Sequence, residues 1–124
     1  MRSMDENVIT FNEIQNDGKT IHLYFSPSFK NYVAYGFSAF LVVEAIHGLN
    51  TQYDVDMQMP YIVLTGEQMS RLMLSLGYHK LPSPLEQYDY LHLEARRKID
   101  EGRYKEWAYF YRSRCMAEDK PASV

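Results

Sequence analysis

The sequence predicts a small α+β domain, in which helices cover a mainly antiparallel β-sheet and a helical hairpin forms the C-terminus. Alternating apolar and polar residues indicate strands near the N-terminus and in the middle of the chain. Capping signals indicate helices in the second half, and the last of these is rich in aromatic and basic residues. The 124 residues match the length of a single domain, in which we expect residues 1–7 and 118–124 to fray.

The first predicted elements are two strands, over residues 8–14 and 20–25. Asp17 and Gly18 stand between them, and this dipeptide tolerates the positive φ angles of a tight hairpin turn. In the second strand, apolar residues at every other position predict one buried face. We therefore expect a hairpin at the start of the sheet.

A helix is predicted over residues 28–47, because its apolar residues recur at spacings of three and four. Gly48 follows it and suits a left-handed helix end. Gly36 and the β-branched pair Val42 and Val43 favour a pair of strands instead. The helix is the preferred interpretation of this segment.

Apolar and polar residues alternate strictly from Tyr53 onward, which predicts a strand that reaches residue 64 with an interruption at Pro60. Thr65 and Gln68 have the spacing of a capping box. They predict a helix over residues 66–76, which Gly77 ends.

The helical hairpin is predicted over residues 84–117. Ser83 and Glu86 have the capping-box spacing that opens its first helix. Gly102 would separate the two helices, so that the stripe around Trp107 folds back on the apolar stripe of the first helix. One long helix that passes through Gly102 is the alternative, since a glycine costs only about 1 kcal/mol inside a helix.

Residues 102–115 combine the only tryptophan of the chain with four other aromatic residues and four bases. An inner stripe at helical spacing is formed by Tyr104, Trp107, Ala108, Tyr111 and Cys115. Tyr109 and Phe110 lie off that stripe. Because tryptophan, tyrosine and arginine dominate binding hot spots, we hypothesise a partner-binding surface. It would comprise Arg103, Lys105, Tyr109, Phe110, Arg112 and Arg114. A helix that serves only the stability of its own fold is the alternative.

Charge is unevenly distributed along the chain. Residues 1–95 carry five Lys/Arg against eleven Asp/Glu, whereas residues 96–114 carry seven against three. The net charge of −3 argues against a nucleic-acid binder that uses its whole surface. A local basic site remains the alternative function, namely a nucleic-acid- or nucleotide-binding regulator. Its contacts would be Arg96, Arg97, Arg103, Lys105 and Arg112.

An enzyme is the third hypothesis, and the sequence favours it least. Asp54 and Asp56 would share one face of the predicted strand, and Asp89 and His92 would lie three apart on the predicted helix. Each is a two-member group, whereas zinc sites need three or four ligands. We therefore expect neither a catalytic residue, nor a metal, nor a cofactor.

The setting predicted from the sequence is the cytoplasm. A single cysteine excludes an internal disulfide, the N-terminus lacks a signal-peptide pattern, and no apolar stretch has the length of a membrane span. The sequence thus predicts a small cytoplasmic protein–protein interaction module, working on another macromolecule or as a homo-oligomer. An inhibitor, an adaptor or an immunity-type factor, of a kind that phages and mobile elements also encode, fits that description.

Overall fold

Five strands form one antiparallel sheet in the computed structural model, which describes residues 6–78 and 89–119. The elements, in chain order, are α1 (Glu6–Ile14), β1 (Thr20–Ser26), β2 (Asn31–Tyr35), α2 (Gly36–Ala45), β3 (Gln52–Asp54), β4 (Met59–Leu64), α3 (Gly66–Ser75), β5 (Tyr90–Glu94) and α4 (Glu101–Asp119). This architecture confirms the predicted α+β class. Residues 6, 7, 118 and 119 lie in helices, although the sequence predicts that they belong to frayed ends.

The strand order across the sheet is β3-β4-β2-β1-β5, so β3 and β5 lie at the two edges. Side chains alternate between the two faces of each strand. On one face, Ile21 and Leu23 of β1 are completely buried. They belong to one hydrophobic core with residues from α2 and α3, such as Phe37 and Leu72, and Trp107 of α4 packs against that core. We call this side the core face and the other side the second face.

Several predicted elements are confirmed. β1 covers the second predicted strand, and β4 covers the end of the strand predicted to reach residue 64. α3 begins with the predicted capping box, in which the Thr65 hydroxyl accepts from the Gln68 N–H and the Gln68 side chain accepts from the Thr65 N–H. The local signal for α3 therefore agrees with the tertiary structure.

The strand predicted over residues 8–14 is wrong, because this segment is helix α1. Ile9 and Glu13 are its buried residues, and their spacing of four places them on one side of a helix. Gly18 has the predicted positive φ, at 85°, but its turn joins α1 to β1 and forms no hairpin. The strand preference of the β-branched residues therefore does not determine the structure of this segment.

The helix predicted over residues 28–47 is correct only in its second half. Residues 31–35 form β2, which pairs antiparallel with β1, so the competing strand interpretation applies to this part. Lys30 adopts a φ of 58° in the connecting turn. α2 then begins at Gly36, whose φ of 55° suits glycine and where a Cβ would lie 3.2 Å from both Glu13 and Met59.

The interruption predicted at Pro60 is misplaced, because Pro60 lies within β4 and pairs with Tyr53. Asp54 pairs with Met59, so residues 55–58 form a turn between β3 and β4, with Gln58 at a φ of 56°. The Asp54 carboxylate accepts a hydrogen bond from the Met57 N–H, 2.9 Å away, which stabilises this turn. Alternation of apolar residues does not distinguish a strand from a short hairpin here.

The helical hairpin predicted over residues 84–117 is half correct. Its second helix is α4, but residues 90–94 form strand β5, which pairs with β1. Gly102 lies in the first turn of α4 rather than between two helices. The predicted signals at Ser83 and Glu86 lie outside the described residues. The stripe of α4 packs against α2 and the sheet, because β5 takes the place expected for a helix.

Candidate functional site

Aromatic stacking attaches α4 to the rest of the fold. The ring of Tyr104 stacks on Phe37 of α2, with centroids 4.7 Å apart and planes 10° from parallel. Trp107 packs on Phe40, with centroids 5.1 Å apart, and Tyr111 meets Trp107 edge to face. The predicted inner stripe is therefore real, and it holds one side of α4 against α2.

One flank of α4, next to the inner stripe, presents an exposed strip that we call the outer strip. It consists of Lys105, Tyr109, Arg112 and Met116, whose spacings of four, three and four place them on one flank of the helix. Tyr109 is 69% exposed and Met116 is 51% exposed. Together with Ser113 and Ala117, the last three members line a shallow groove along the helix. The outer strip thus alternates bases with large exposed apolar side chains.

The other residues predicted to bind a partner lie elsewhere on α4. Phe110 is 55% exposed, about 100° around the helix from Tyr109, and its ring meets Tyr111 edge to face. Arg114 is exposed and lines a cleft that Tyr111 also lines. Arg103 forms contacts within the chain, since its side chain donates a hydrogen bond to Glu44 at 2.9 Å and lies 5.8 Å from the Phe40 ring centroid. The structure therefore brings together only part of the predicted set.

The basic residues of the nucleic-acid alternative are also partly engaged. The Nε of Arg96 donates to the Ser75 carbonyl at 2.7 Å, which satisfies the C-terminal end of α3. Arg97 lines the same cleft as Arg96, between α2 and α3. With Arg103 bound to Glu44, two of the five arginines and lysines named for this function already serve the fold.

The carboxylates and histidine of the enzyme hypothesis do not form one site. Asp54 is on edge strand β3 and His92 on edge strand β5, four strand spacings or about 19 Å apart across the sheet. Asp56 lies in a turn rather than beside Asp54 on a strand, and Asp89 precedes β5 rather than lying on a helix. Within the described residues, no group of three His, Cys, Asp or Glu side chains could hold a metal ion.

A row of aromatic rings crosses the second face of the sheet, and the sequence analysis missed it. In order across the strands it contains His92, Tyr90, His22, Tyr24, Tyr35, Tyr61 and Phe29, and we call it the aromatic row. Consecutive ring centroids are 5.7 to 6.5 Å apart. Register explains the row, because Tyr24 lies opposite Tyr90 and Tyr35 lies opposite Tyr61. Such pairing is invisible until the strand order is known.

Helix α1 covers the middle of the aromatic row. The Asn12 side chain donates to the Tyr24 hydroxyl at 3.0 Å, and Tyr24 is only 2% exposed. The outer side of α1 leaves Val8, Phe11 and Ile14 exposed by 43, 58 and 74%. The ends of the row, in contrast, remain partly accessible to solvent, for example at Phe29 and His92.

Burial controls the ionisation of the residues along the row. Burial, followed by the charges of Asp54, Tyr61 and Glu6, raises the pKa of Tyr35 to about 12. Burial and, after it, the charge of Asp54 raise the pKa of the Tyr61 hydroxyl. These hydroxyls therefore stay neutral near pH 7, and negative charge lies close to this end of the row.

Comparison with models of protein families, with curated proteins and with solved structures found no significant match for this chain. Among the helices of the described residues, none combines the length and the apolar composition that a membrane span requires. Any functional statement therefore depends on the geometry of the chain itself.

Proposed function

We propose that the chain is a small protein-binding module, whose helix α4 contacts an acidic surface of a partner protein through the outer strip. The observation that carries the proposal is the 69% exposure of Tyr109 on a helix whose inner stripe is held against α2. An inhibitor, an adaptor or an immunity-type factor would each use such a surface. We expect it to act in the cytoplasm, whose reducing conditions suit a chain with one cysteine.

The composition of the outer strip supports binding to a protein. Tyrosine and arginine are enriched among hot-spot residues. Tyrosine offers a large contact area with few rotatable bonds, and arginine offers several hydrogen-bond donors. The Phe37–Tyr104 and Phe40–Trp107 contacts hold the strip in place before a partner arrives. A preformed helix loses less conformational entropy on binding than a flexible segment does.

The charges on α4 support an acidic partner. Lys105 faces Glu101 at 3.9 Å, but both side chains are about two thirds exposed. An exposed pair of this kind contributes only about 0.3–0.5 kcal/mol, so Lys105 can exchange Glu101 for an acidic partner residue at little cost. Arg112 adds a second base between Tyr109 and Met116 on the strip. The internal engagement of Arg96 and Arg103 favours this proposal over the nucleic-acid alternative.

Comparative affinity capture tests the proposal. The baits are the wild-type chain, Tyr109→Ala, Arg112→Ala and the matched control Phe11→Ala, which removes an exposed aromatic from α1 instead of α4. We expect one partner to be captured by wild type and Phe11→Ala, and to be lost from the two α4 variants. A partner retained by the α4 variants, or lost only with Phe11→Ala, would place the binding surface elsewhere.

Light scattering on the purified chain tests whether the chain associates with itself. If the partner is a second copy, the mass exceeds 14.6 kDa in wild type and returns to 14.6 kDa in Tyr109→Ala. An oligomer that survives Tyr109→Ala would exclude the outer strip as its interface.

A further inference from the structure

The β3 end of the aromatic row combines aromatic rings with carboxylates. Tyr35 and Tyr61 lie 5.7 Å apart between centroids, and Phe29 follows 6.4 Å beyond Tyr61. Asp54 lies on the same face, because Gln52 is opposite Tyr61 and residues two apart on a strand share a face. The Tyr61 hydroxyl donates to the Gln52 side chain at 2.8 Å, which fixes the ring beside β3.

A pocket of about 110 Å³ opens beside Tyr35, between α1 and the second face of the sheet. Its apolar wall includes Ile9 and Val33, its aromatic wall includes Tyr24 and Tyr35, and Glu6 supplies a carboxylate. The volume suits the stem of one long side chain. We call this pocket, with the neighbouring Tyr61 and Asp54, the acidic aromatic pocket.

We propose that the acidic aromatic pocket binds the cationic side chain of an arginine or a lysine that a partner protein presents. Aromatic faces attract cations through their quadrupole, and nearby carboxylates strengthen that attraction. The alkyl stem of either side chain would pack on the ring of Tyr35, while its charged group reaches Glu6 or Asp54. Neither Glu6 nor Asp54 is part of a salt bridge in the described part of the chain.

Two observations distinguish this pocket from a group of aromatic residues whose role is only to stabilise the sheet. Cross-strand aromatic pairs stabilise sheets on their own, and the pairs around Tyr24 are explained in that way. The Tyr35 end differs, because it borders a pocket and because the charges of both Asp54 and Glu6 reach the Tyr35 hydroxyl. The same carboxylates repel phosphates, so a stacked oligonucleotide fits this end of the row poorly.

The inference goes beyond the proposed function, since it concerns the second face of the sheet and a partner of opposite charge. Variants on α4 leave this pocket unchanged, and variants in the pocket leave the outer strip unchanged. The two proposals can therefore fail independently.

The test is an NMR titration of the ¹⁵N-labelled chain with an acetylated and amidated Gly-Arg-Gly-Arg-Gly peptide. A peptide with citrulline in place of arginine keeps the shape and removes the charge. We expect shifts at Tyr35, Tyr61 and Glu6 with the arginine peptide, and at least threefold weaker binding of the citrulline peptide. A lysine version of the peptide determines which cation binds more tightly.

Variants then locate the interaction. Asp54→Asn keeps an acceptor for the Met57 N–H, and we expect it to weaken binding about two- to fivefold. The matched control Asp56→Asn removes the same charge from the adjoining turn and is expected to change binding less than 1.5-fold. Tyr61→Phe keeps the ring and should bind as wild type does, whereas Tyr61→Leu should weaken binding about two- to fivefold.

Three outcomes would overturn the proposal. They are equal binding of the arginine and citrulline peptides, equal losses in Asp54→Asn and Asp56→Asn, and shifts confined to α4. Binding of a ten-residue oligo-dT to Tyr35 and Tyr61, with shifts that vanish at high salt, would also contradict it and would indicate a nucleic-acid platform.

Discussion

The buried carboxylate of Glu13 accepts two hydrogen bonds from Ser38, one from the backbone N–H at 2.8 Å and one from the hydroxyl at 2.7 Å. Asn16 donates a further bond to the same carboxylate at 3.2 Å. Ser38 lies in the first turn of α2, where free N–H groups and the helix dipole attract negative charge. Glu13 therefore ties α1 to the start of α2, although the two residues are 25 positions apart.

The ionisation of Glu13 makes stability depend on pH. Burial raises the pKa of Glu13 to about 7, and this effect exceeds the lowering by the Ser38 and Asn16 hydrogen bonds. A folded-state pKa above the ordinary glutamate value of 4.5 means that the folded chain binds the proton more tightly than the unfolded chain does. The contribution of protonated Glu13 is complete below about pH 4.5 and is lost as the pH rises through about 7.

Denaturant unfolding between pH 4 and pH 8 measures this effect, with Glu13→Gln as the reference that cannot titrate. We expect the free energy of unfolding of wild type to fall relative to Glu13→Gln by up to about 3 kcal/mol across the range. A difference that stays constant with pH would show that the hydrogen bonds offset burial, and a difference that rises would show that they outweigh it; either result would contradict the prediction.

The hydroxyl of Ser38 should matter more than an ordinary helix serine. It donates to Glu13, accepts from the His22 N–H at 2.8 Å and accepts from the Asn16 side chain at 3.3 Å, and Ser38 is completely buried. Ser38→Ala removes all three bonds, and we expect a loss of about 2 kcal/mol in the free energy of unfolding. Ser75→Ala is the control, because its hydroxyl makes one bond, to Leu72 of its own helix. Equal effects of the two variants would contradict the role given to Ser38.

Two tyrosines of α4 should differ sharply in their effect on stability. Tyr104 stacks on Phe37, whereas Tyr109 is 69% exposed. We expect Tyr104→Ala to lower the free energy of unfolding by about 2 kcal/mol or more, and Tyr109→Ala to change it by less than about 0.5 kcal/mol. Thermal or denaturant unfolding of both variants checks this, and a large loss for Tyr109→Ala would mean that the outer strip serves the fold.

Gly18 and Gly48 form another matched pair. Both have positive φ angles, of 85° and 80°, but a Cβ on Gly18 would overlap the Ile99 carbonyl oxygen whereas nothing lies within 4 Å at Gly48. We expect Gly48→Ala to cost about 1 kcal/mol from backbone strain and Gly18→Ala to cost at least about 1 kcal/mol more. Similar unfolding midpoints for the two variants would show that the loop at Ile99 relaxes freely.

Local signals in the sequence identified the parts of the fold that short-range interactions determine. The capping box of Thr65 and Gln68 and the inner stripe around Trp107 are examples, since each depends on residues within one or two helical turns. α1 could not be predicted in this way, because the side chain that ties it to the rest of the fold, Glu13, has its partner Ser38 on another element. β5 is similar, since its residues pair with β1 residues that lie 66 to 74 positions earlier in the chain.

The candidate site shows the same division. Exposure of Tyr109 and Phe110 followed from helical periodicity, and the structure agrees with it. The hydrogen bond from Arg103 to Glu44 could not be predicted from periodicity, because the two residues lie 59 positions apart. The aromatic row depends on strand order and register, neither of which alternation within a single strand reveals.

The measurement that tests the central proposal most directly is the affinity of a purified, captured partner for wild type and Tyr109→Ala, determined by isothermal titration calorimetry. We expect Tyr109→Ala to weaken the complex at least about tenfold, as loss of a hot-spot residue does, and the control Phe11→Ala to stay within about twofold. Equal affinity of wild type and Tyr109→Ala, with both chains folded, would contradict the proposal that the outer strip of α4 is the binding surface.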